Sequence, residues 1–324
     1  MVNKAVDRLW VPLITHYAEA NGRRVLDRAR MAAHVARIRP YVRQFLLAGS
    51  TGDGWEMGDD LLTDLLDFAA TDTFAGTTLV VGALGRTTGD VVRRATLVEG
   101  SALARAGGGR FAGLTVCPPV DASADQVAIL AHYRTVLDAT SSPLQIYELP
   151  QVTSCSLQVE TVRTLAATGR VNMFKDTSGQ DRIAAAGVNG IRLVRGAEGG
   201  YVQALRGGGY DGWLLSTGNI FGASLRRILE ALDAGREADA MQISDILSRV
   251  VAALFDAASQ TPFGNAFSNV SRGVDHLFAY GERWRDVAMP LTFSGNRLPE
   301  SMLALFGERL LHLGAVGQGY VKHS

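Results

Sequence analysis

The chain has 324 residues, enough for one large α/β domain or two small ones, and barrels of this length are commonly single domains. Apolar residues at 47% and charged residues at 20% exclude a disordered chain, and the cancelling 32 basic and 32 acidic residues exclude a basic surface for nucleic acid or an anionic membrane. The two cysteines, Cys117 and Cys155, form no CxxC pair, which excludes a zinc ribbon or a disulfide framework.

The opening MVNKAVDRLWVPLITHYAEANG has no apolar core of signal-peptide length, and no run of about 18 apolar residues follows, so a reduced cytoplasmic setting is expected. Eight short apolar runs then recur along the chain: 9–15, 45–49, 79–84, 111–116, 144–148, 171–176, 191–197 and 212–216. Each is as short and as uniformly apolar as a parallel strand covered on both faces. Apolar positions spaced at three and four predict helices between them, at 59–70, 88–106, 124–139 and 156–167, with Asp59 and Ser156 as N-caps. Further helices are expected near 223–233, 236–258, 264–280 and 299–313. Strand–helix alternation repeated eight times predicts a (β/α)8 TIM barrel with a C-terminal helical extension, of the α/β class. The expected organisation is barrel over 1–222 and last barrel helix plus extension over 223–324, forming one structural unit.

In such a barrel the polar residues at the C-terminal strand ends carry the information. After the second strand comes AGSTGDGWE, 48–56, where Gly49, Ser50 and Thr51 form either an ordinary glycine-rich turn or an anion cradle of backbone N–H groups. The spacing fits neither a P-loop nor a dinucleotide fingerprint. After the fifth strand stands Tyr147, a packing residue or a proton carrier, and Pro150 ends the run. After the sixth, VNMFKDTSG places Lys175 and Asp176 where an apolar run should continue. A buried ammonium without a partner is costly, so it implies a pair or a chemical role. Alternation puts Lys175 on the face of Met173 and turns Asp176 away as a turn or packing partner. A hydroxyl pair, a phenol and a lysine at one barrel mouth are the parts of a Schiff-base enzyme.

At these residues the chain resembles the dihydrodipicolinate synthase / N-acetylneuraminate lyase family. The family's G-[ST]-T-G-E turn stands here as Gly49-Ser50-Thr51-Gly52-Asp53, its Y-N-x-P-x-x-T as Tyr147 to Thr153, and its lysine motif as Lys175-Asp176-Thr177-Ser178-Gly179. The 28 positions from Tyr147 to Lys175 also suit the family. The match runs over roughly 9–313, with VPLITHY (11–17) as the opening strand, His16 standing where the family has proline, and GAEGGYVQALRGGGYDGWLLSTGNIF (196–221) as the seventh and eighth strand region. The resemblance implies a lysine-dependent lyase or aldolase that acts on pyruvate or another 2-oxo acid through an enamine. It implies Lys175, Tyr147 and Ser50 as catalytic residues, and Thr51, Gly49, Gly196, Trp213, Leu214 and Ser216 as substrate-binding ones. It also implies an aldehyde partner, and a homo-oligomer, dimer or more usually tetramer.

Departures bear on the substrate. Val152 and Val120 stand where the synthase branch has its substrate arginine and the tyrosine of its proton relay; Glu148 and Asp53 replace an asparagine and a glutamate. A divergent member with its own electrophile is therefore expected. The same residues would also serve a 2-keto-3-deoxy sugar acid dehydratase or a dihydrodipicolinate synthase, and a silent barrel acting as a binding subunit is the reading of another class. Glu148, Glu198, Trp213, Ser216 and Asn219 are candidates to shape the second site, Met173 and Phe174 to wall the lysine, and Cys117 to pack. No cofactor or metal is expected, because none of the six histidines forms a ligand-spaced pair. Neither nucleic acid nor membrane is an expected partner.

Overall fold

A computed structural model of the protein describes residues 7–106, 109–259, 261–311 and 319–321. Eight parallel strands close into a barrel: β1 (Leu9–Pro12), β4 (Gln44–Leu47), β5 (Thr78–Gly82), β6 (Phe111–Val116), β7 (Leu144–Glu148), β8 (Val171–Asp176), β9 (Arg192–Arg195) and β10 (Gly212–Leu214), with β10 hydrogen-bonded back to β1. The expected (β/α)8 barrel is thus observed. An antiparallel hairpin that the sequence did not announce, β2 (Tyr17–Ala20) and β3 (Arg23–Leu26), follows the first strand.

The surrounding helices are α1 (Arg28–Ile38), α2 (Asp59–Ala69), α3 (Thr88–Glu99), α4 (Ala102–Arg105), α5 (Gln126–Ala139), α6 (Pro150–Thr153), α7 (Val159–Ala166), α8 (Arg182–Ala185), α9 (Tyr201–Arg206) and α10 (Gly218–Asp233). The extension is α11 (Glu237–Ser259), α12 (Ala266–Tyr280) and α13 (Glu300–Leu311). The expected helix 88–106 divides because Gly100 closes α3 and the Ser101 hydroxyl caps α4. Asp59 lies inside α2 and its N-cap is Gly58; Gln158, not Ser156, is the N-cap of α7. The boundary expected at 222 falls inside α10, which begins at Gly218 and kinks at Phe221.

Alternation along each strand divides the core in two. Trp10, Leu46, Val80, Met173, Val194 and Leu214 fill the barrel interior. Their neighbours Leu9, Phe45, Val81, Phe174, Leu193 and Trp213 face outward into the larger layer between barrel and helices. No helix among the described residues is long and apolar enough to cross a membrane.

Candidate active site

Parity fixes who reaches the mouth. Met173 points inward, so Lys175, two residues on, does too, and β7 pairs Tyr147 directly with it. Both are almost fully buried, at 4% and 2% exposure. The Lys175 Nζ lies 3.7 Å from the centroid of the Tyr147 ring, and among the described residues no carboxylate pairs with it. An ammonium over a ring face is held by the quadrupole alone, which is a weak hold on a buried charge.

The glycine-rich turn supplies the third part. Ala48 leaves β4 at φ 48° and Ser50–Gly52 form one 3-10 turn closed by left-handed Asp53. Glycine is required at 54, where a Cβ would stand 1.8 Å from the Ala48 carbonyl oxygen; at 49 a Cβ would meet the Leu46 side chain at 2.7 Å and push it aside. The turn brings the Ser50 hydroxyl within 3.4 Å of the Tyr147 hydroxyl, and Trp55 Nε1 donates to the same Ser50 oxygen at 2.9 Å. Ser50 and Thr51 open the turn, so no carbonyl of the turn accepts from their backbone N–H groups.

Gly196 follows β9 on the inward parity of Val194. A Cβ there would lie 2.8 Å from Lys175 Cε and 2.2 Å from Thr177 Oγ1, so only glycine lets the lysine chain extend into the mouth. The apolar wall around the lysine is Leu84, Cys117, Tyr147 and Leu149, with Trp55 against them. Phe174, expected in that wall, instead faces the helices. Burial pushes the Cys117 thiol far up, which keeps it a packed, inert group.

The remaining expected residues divide. Ser216 Oγ donates to Glu198 Oε1 at 2.7 Å, and Thr217 Oγ1 and the Tyr201 hydroxyl donate to Oε2 at 2.6 and 3.2 Å, so a tethered carboxylate sits beside the strand ends. Leu214 belongs to the interior layer below the mouth. Trp213 does not reach it. With Leu214 inward, Trp213 must turn outward, where it is fully buried and donates to the Tyr201 carbonyl at 3.2 Å. Glu148 is outward for the same reason. It accepts from the Leu157 N–H at 3.1 Å, and burial together with Asp176 pushes its carboxyl up to about 7. Asp176 accepts from Tyr210 OH at 2.9 Å and from Ser178. Asn219 is spent on structure: its Nδ2 donates to the Pro12 and Ser216 carbonyls, both at 2.9 Å, and its Oδ1 accepts from Ile14 N–H.

Sequence reasoning missed a second polar cluster, a seam between β1, α1 and α12. Asp275, wholly buried, pairs with Arg30, accepts from Tyr320 OH at 2.7 Å, and lies 2.8 Å from His34 Nδ1. His34 Nε2 faces Asn219 Oδ1 at 3.2 Å. Because the Asn219 amide nitrogen already donates to two carbonyls, its oxygen accepts, so both His34 nitrogens face oxygen acceptors. His16 Nε2 approaches Asp275 Oδ2 at 3.2 Å without hydrogen-bond alignment. His16, His34 and Asp275 thus bring metal-type ligand atoms within 4.8 Å of one another, although no short spacing in the sequence announced it. A divalent ion there would face the Arg30 guanidinium and displace the Asp275 hydrogen bonds.

The chain matches the family model described as "Dihydrodipicolinate synthetase family" over residues 12–275. It is 24% identical over 220 residues to the 4-hydroxy-tetrahydrodipicolinate synthase of Leuconostoc mesenteroides, covering 67% of this chain and 74% of that protein. To the enzyme of that name from Exiguobacterium sibiricum it is 25% identical over 237 residues, covering 72% and 78%. Among solved structures it resembles YagE, a prophage protein of E. coli K12 belonging to the dihydrodipicolinic acid synthase family and solved with pyruvate, at a TM-score of 0.78 and 18% identity over 96% of this chain and 100% of that one. CdNal of Clostridium difficile, solved with mannosamine, gives 0.78 and 14% over 95% and 99%. At these identities the structural likenesses establish the fold.

Proposed function

The chain belongs to the dihydrodipicolinate synthetase family, and from that premise we propose that it is a Schiff-base lyase that makes or breaks a carbon–carbon bond next to a 2-oxo acid, with Lys175 as the imine-forming residue. One observation carries the reading. The Lys175 amine is buried at a strand end, has no carboxylate partner among the described residues, and touches the Tyr147 ring. An amine is the nucleophile that forms an imine with a ketone, and this one is not tied up by an acidic partner among the described residues.

The amine adds to the C2 carbonyl of pyruvate or a related 2-oxo acid. Tyr147, in reach of Ser50, delivers a proton to the carbinolamine oxygen, which leaves as water to give the imine. The carboxylate sits on the Ser50 and Thr51 N–H groups and hydroxyls, with Gly49 and Gly196 leaving room for it and for the lysine. Loss of a C3 proton gives the enamine, which attacks an aldehyde carbonyl; the reverse sequence cleaves an aldol. Glu198, which accepts from Ser216, Thr217 and Tyr201 on both its oxygens, fixes the end of β10 beside the mouth. No nucleic acid or membrane takes part. The barrel (1–222) and the rest (223–324) act as one unit, in a cytoplasmic homo-oligomer, a dimer or tetramer, whose state sedimentation measures.

A second reading, 4-hydroxy-tetrahydrodipicolinate synthase, is favoured by the names of the curated relatives. Val152, half exposed on α6, and Val120 argue against it, since neither can hold a dicarboxylate or pass a proton. Borohydride reduction in the presence of pyruvate tests the main reading. The expected result is a mass gain located on Lys175, and a Lys175→Ala variant that still traps pyruvate would sink it.

A further inference from the structure

The turn that carries Ser50 and Thr51 is held from outside the barrel. In a trans peptide the carbonyl and the following N–H point in opposite directions, so whatever grips the carbonyl aims the N–H. The Ser50 N–H is aimed by the Gly49 carbonyl, which accepts from Gly52 and Gly54 N–H at 3.0 and 2.9 Å. The Thr51 N–H is aimed by the Ser50 carbonyl, which accepts from Asp53 N–H at 3.2 Å. The direction of both donors therefore depends on the far half of the turn, Gly52 to Gly54.

That half is gripped by α12 and the end of β1. Arg272 on α12, 1% exposed, pairs with the Asp53 carboxylate, and its Nε donates to the Thr15 carbonyl at 2.9 Å. Thr15 Oγ1 donates in turn to the Gly52 carbonyl at 2.9 Å, and Tyr17 OH to Asp53 Oδ2 at 2.7 Å. One turn of helix earlier, Ser268 Oγ donates to the Thr51 carbonyl at 2.8 Å. Asp53 also sits in the left-handed region, φ 60°, which a non-glycine residue keeps only where its surroundings impose it. Among the described residues none of these groups hydrogen-bonds to or ion-pairs with Lys175 or Tyr147.

We propose that Arg272 is a positioning residue for the carboxylate of the 2-oxo acid: through Asp53 and Thr15 it aims the Ser50 and Thr51 N–H groups, and this makes the C-terminal extension a working part of the site. The inference rests on the Schiff-base reading of Lys175. A lysine cannot reproduce the guanidinium fork that spans Asp53 and Thr15, so Arg272→Lys keeps the charge and loses the aim.

The test compares two carbonyl probes in borohydride trapping at Lys175: pyruvate, and acetone, which has no carboxylate. In Arg272→Lys the pyruvate concentration giving half-maximal trapping rises about tenfold, the loss expected for one charge-assisted hydrogen bond, while that for acetone stays within about twofold. Ser268→Ala, a milder change that leaves the ion pair in place, shifts pyruvate alone by about threefold. Equal shifts for both probes, or no shift for pyruvate in either folded variant, would overturn the proposal. A wild-type protein that traps neither probe at Lys175 brings down the Schiff-base reading, and the positioning role falls with it; wild-type trapping with an unchanged pyruvate dependence in both variants brings down the positioning role alone.

Discussion

The barrel mouth and the seam behind it are both buried and polar, and they are built on opposite rules. In the seam the central carboxylate is fully partnered. Asp275 has Arg30, His34 and Tyr320 around it, and its carboxyl is held well below the usual range: burial alone would raise it, and the His34 and Arg30 charges with the His34 hydrogen bond outweigh that. At the mouth Lys175 faces a tyrosine ring, and among the described residues no carboxylate compensates it. A saturated cluster stabilises a fold, whereas a group left short of a partner is kept ready for a ligand. The contrast separates the residues to test for activity from those to test for stability.

Lys175→Ala should give the largest effect and break the contrast most visibly. Turnover should fall by about 10⁴-fold or more, as for removal of a covalent nucleophile, while the denaturation midpoint holds because no carboxylate is left without its partner. Steady-state kinetics beside urea unfolding measures both. Asp275→Asn should do the reverse. It leaves Arg30 buried without its anion, at a cost of about 3–5 kcal/mol in unfolding free energy, with the Lys175 trapping of surviving folded protein unchanged. Tyr147→Phe keeps the ring over Lys175 and removes only the hydroxyl that reaches Ser50, so kcat should fall about 10²- to 10³-fold with no loss of stability.

The smallest expected effect is a pH dependence in which two groups oppose each other. Burial and Asp176 raise Glu148 from 4.5 to about 7, so its contribution to stability is complete below 4.5 and is lost as pH rises through 7, by up to about 3 kcal/mol. Burial and Arg30 lower His16 from 6.5 to about 3, so its contribution is complete above 6.5 and is lost as pH falls toward 3. Urea midpoints taken across this range should flatten on the alkaline side in Glu148→Gln and on the acid side in His16→Gln. An unchanged profile in either variant would mean that the seam or the outer face of β7 is more hydrated than its burial implies.

The same contrast explains what the sequence could reveal. The mouth was legible because its parts stand in short contiguous motifs at strand ends, and because a period of two told Lys175 from Asp176. That rule was not carried to β10, where counting from Leu214 sends Trp213 outward, nor to Glu148 on β7 and Phe174 on β8. The seam was illegible for another reason. Its residues meet across 241 positions between His34 and Asp275, as Asp53 and Arg272 do across 219, and no short motif marks the α12 side chains. Only tertiary packing reveals that this helix is buried nearly all round. The hairpin β2–β3 escaped because it is half exposed and carries no apolar run.

The central claim is that Lys175 carries the chemistry, and a crystal of the wild-type protein soaked with pyruvate tests it most directly. The account predicts continuous density from Lys175 Nζ to C2 of the ligand, with the ligand carboxylate against the Ser50 and Thr51 N–H groups and the Tyr147 hydroxyl beside the former carbonyl position. An unmodified Lys175 in a crystal whose pyruvate is bound elsewhere, or in which the carboxylate lies away from that turn, would contradict it.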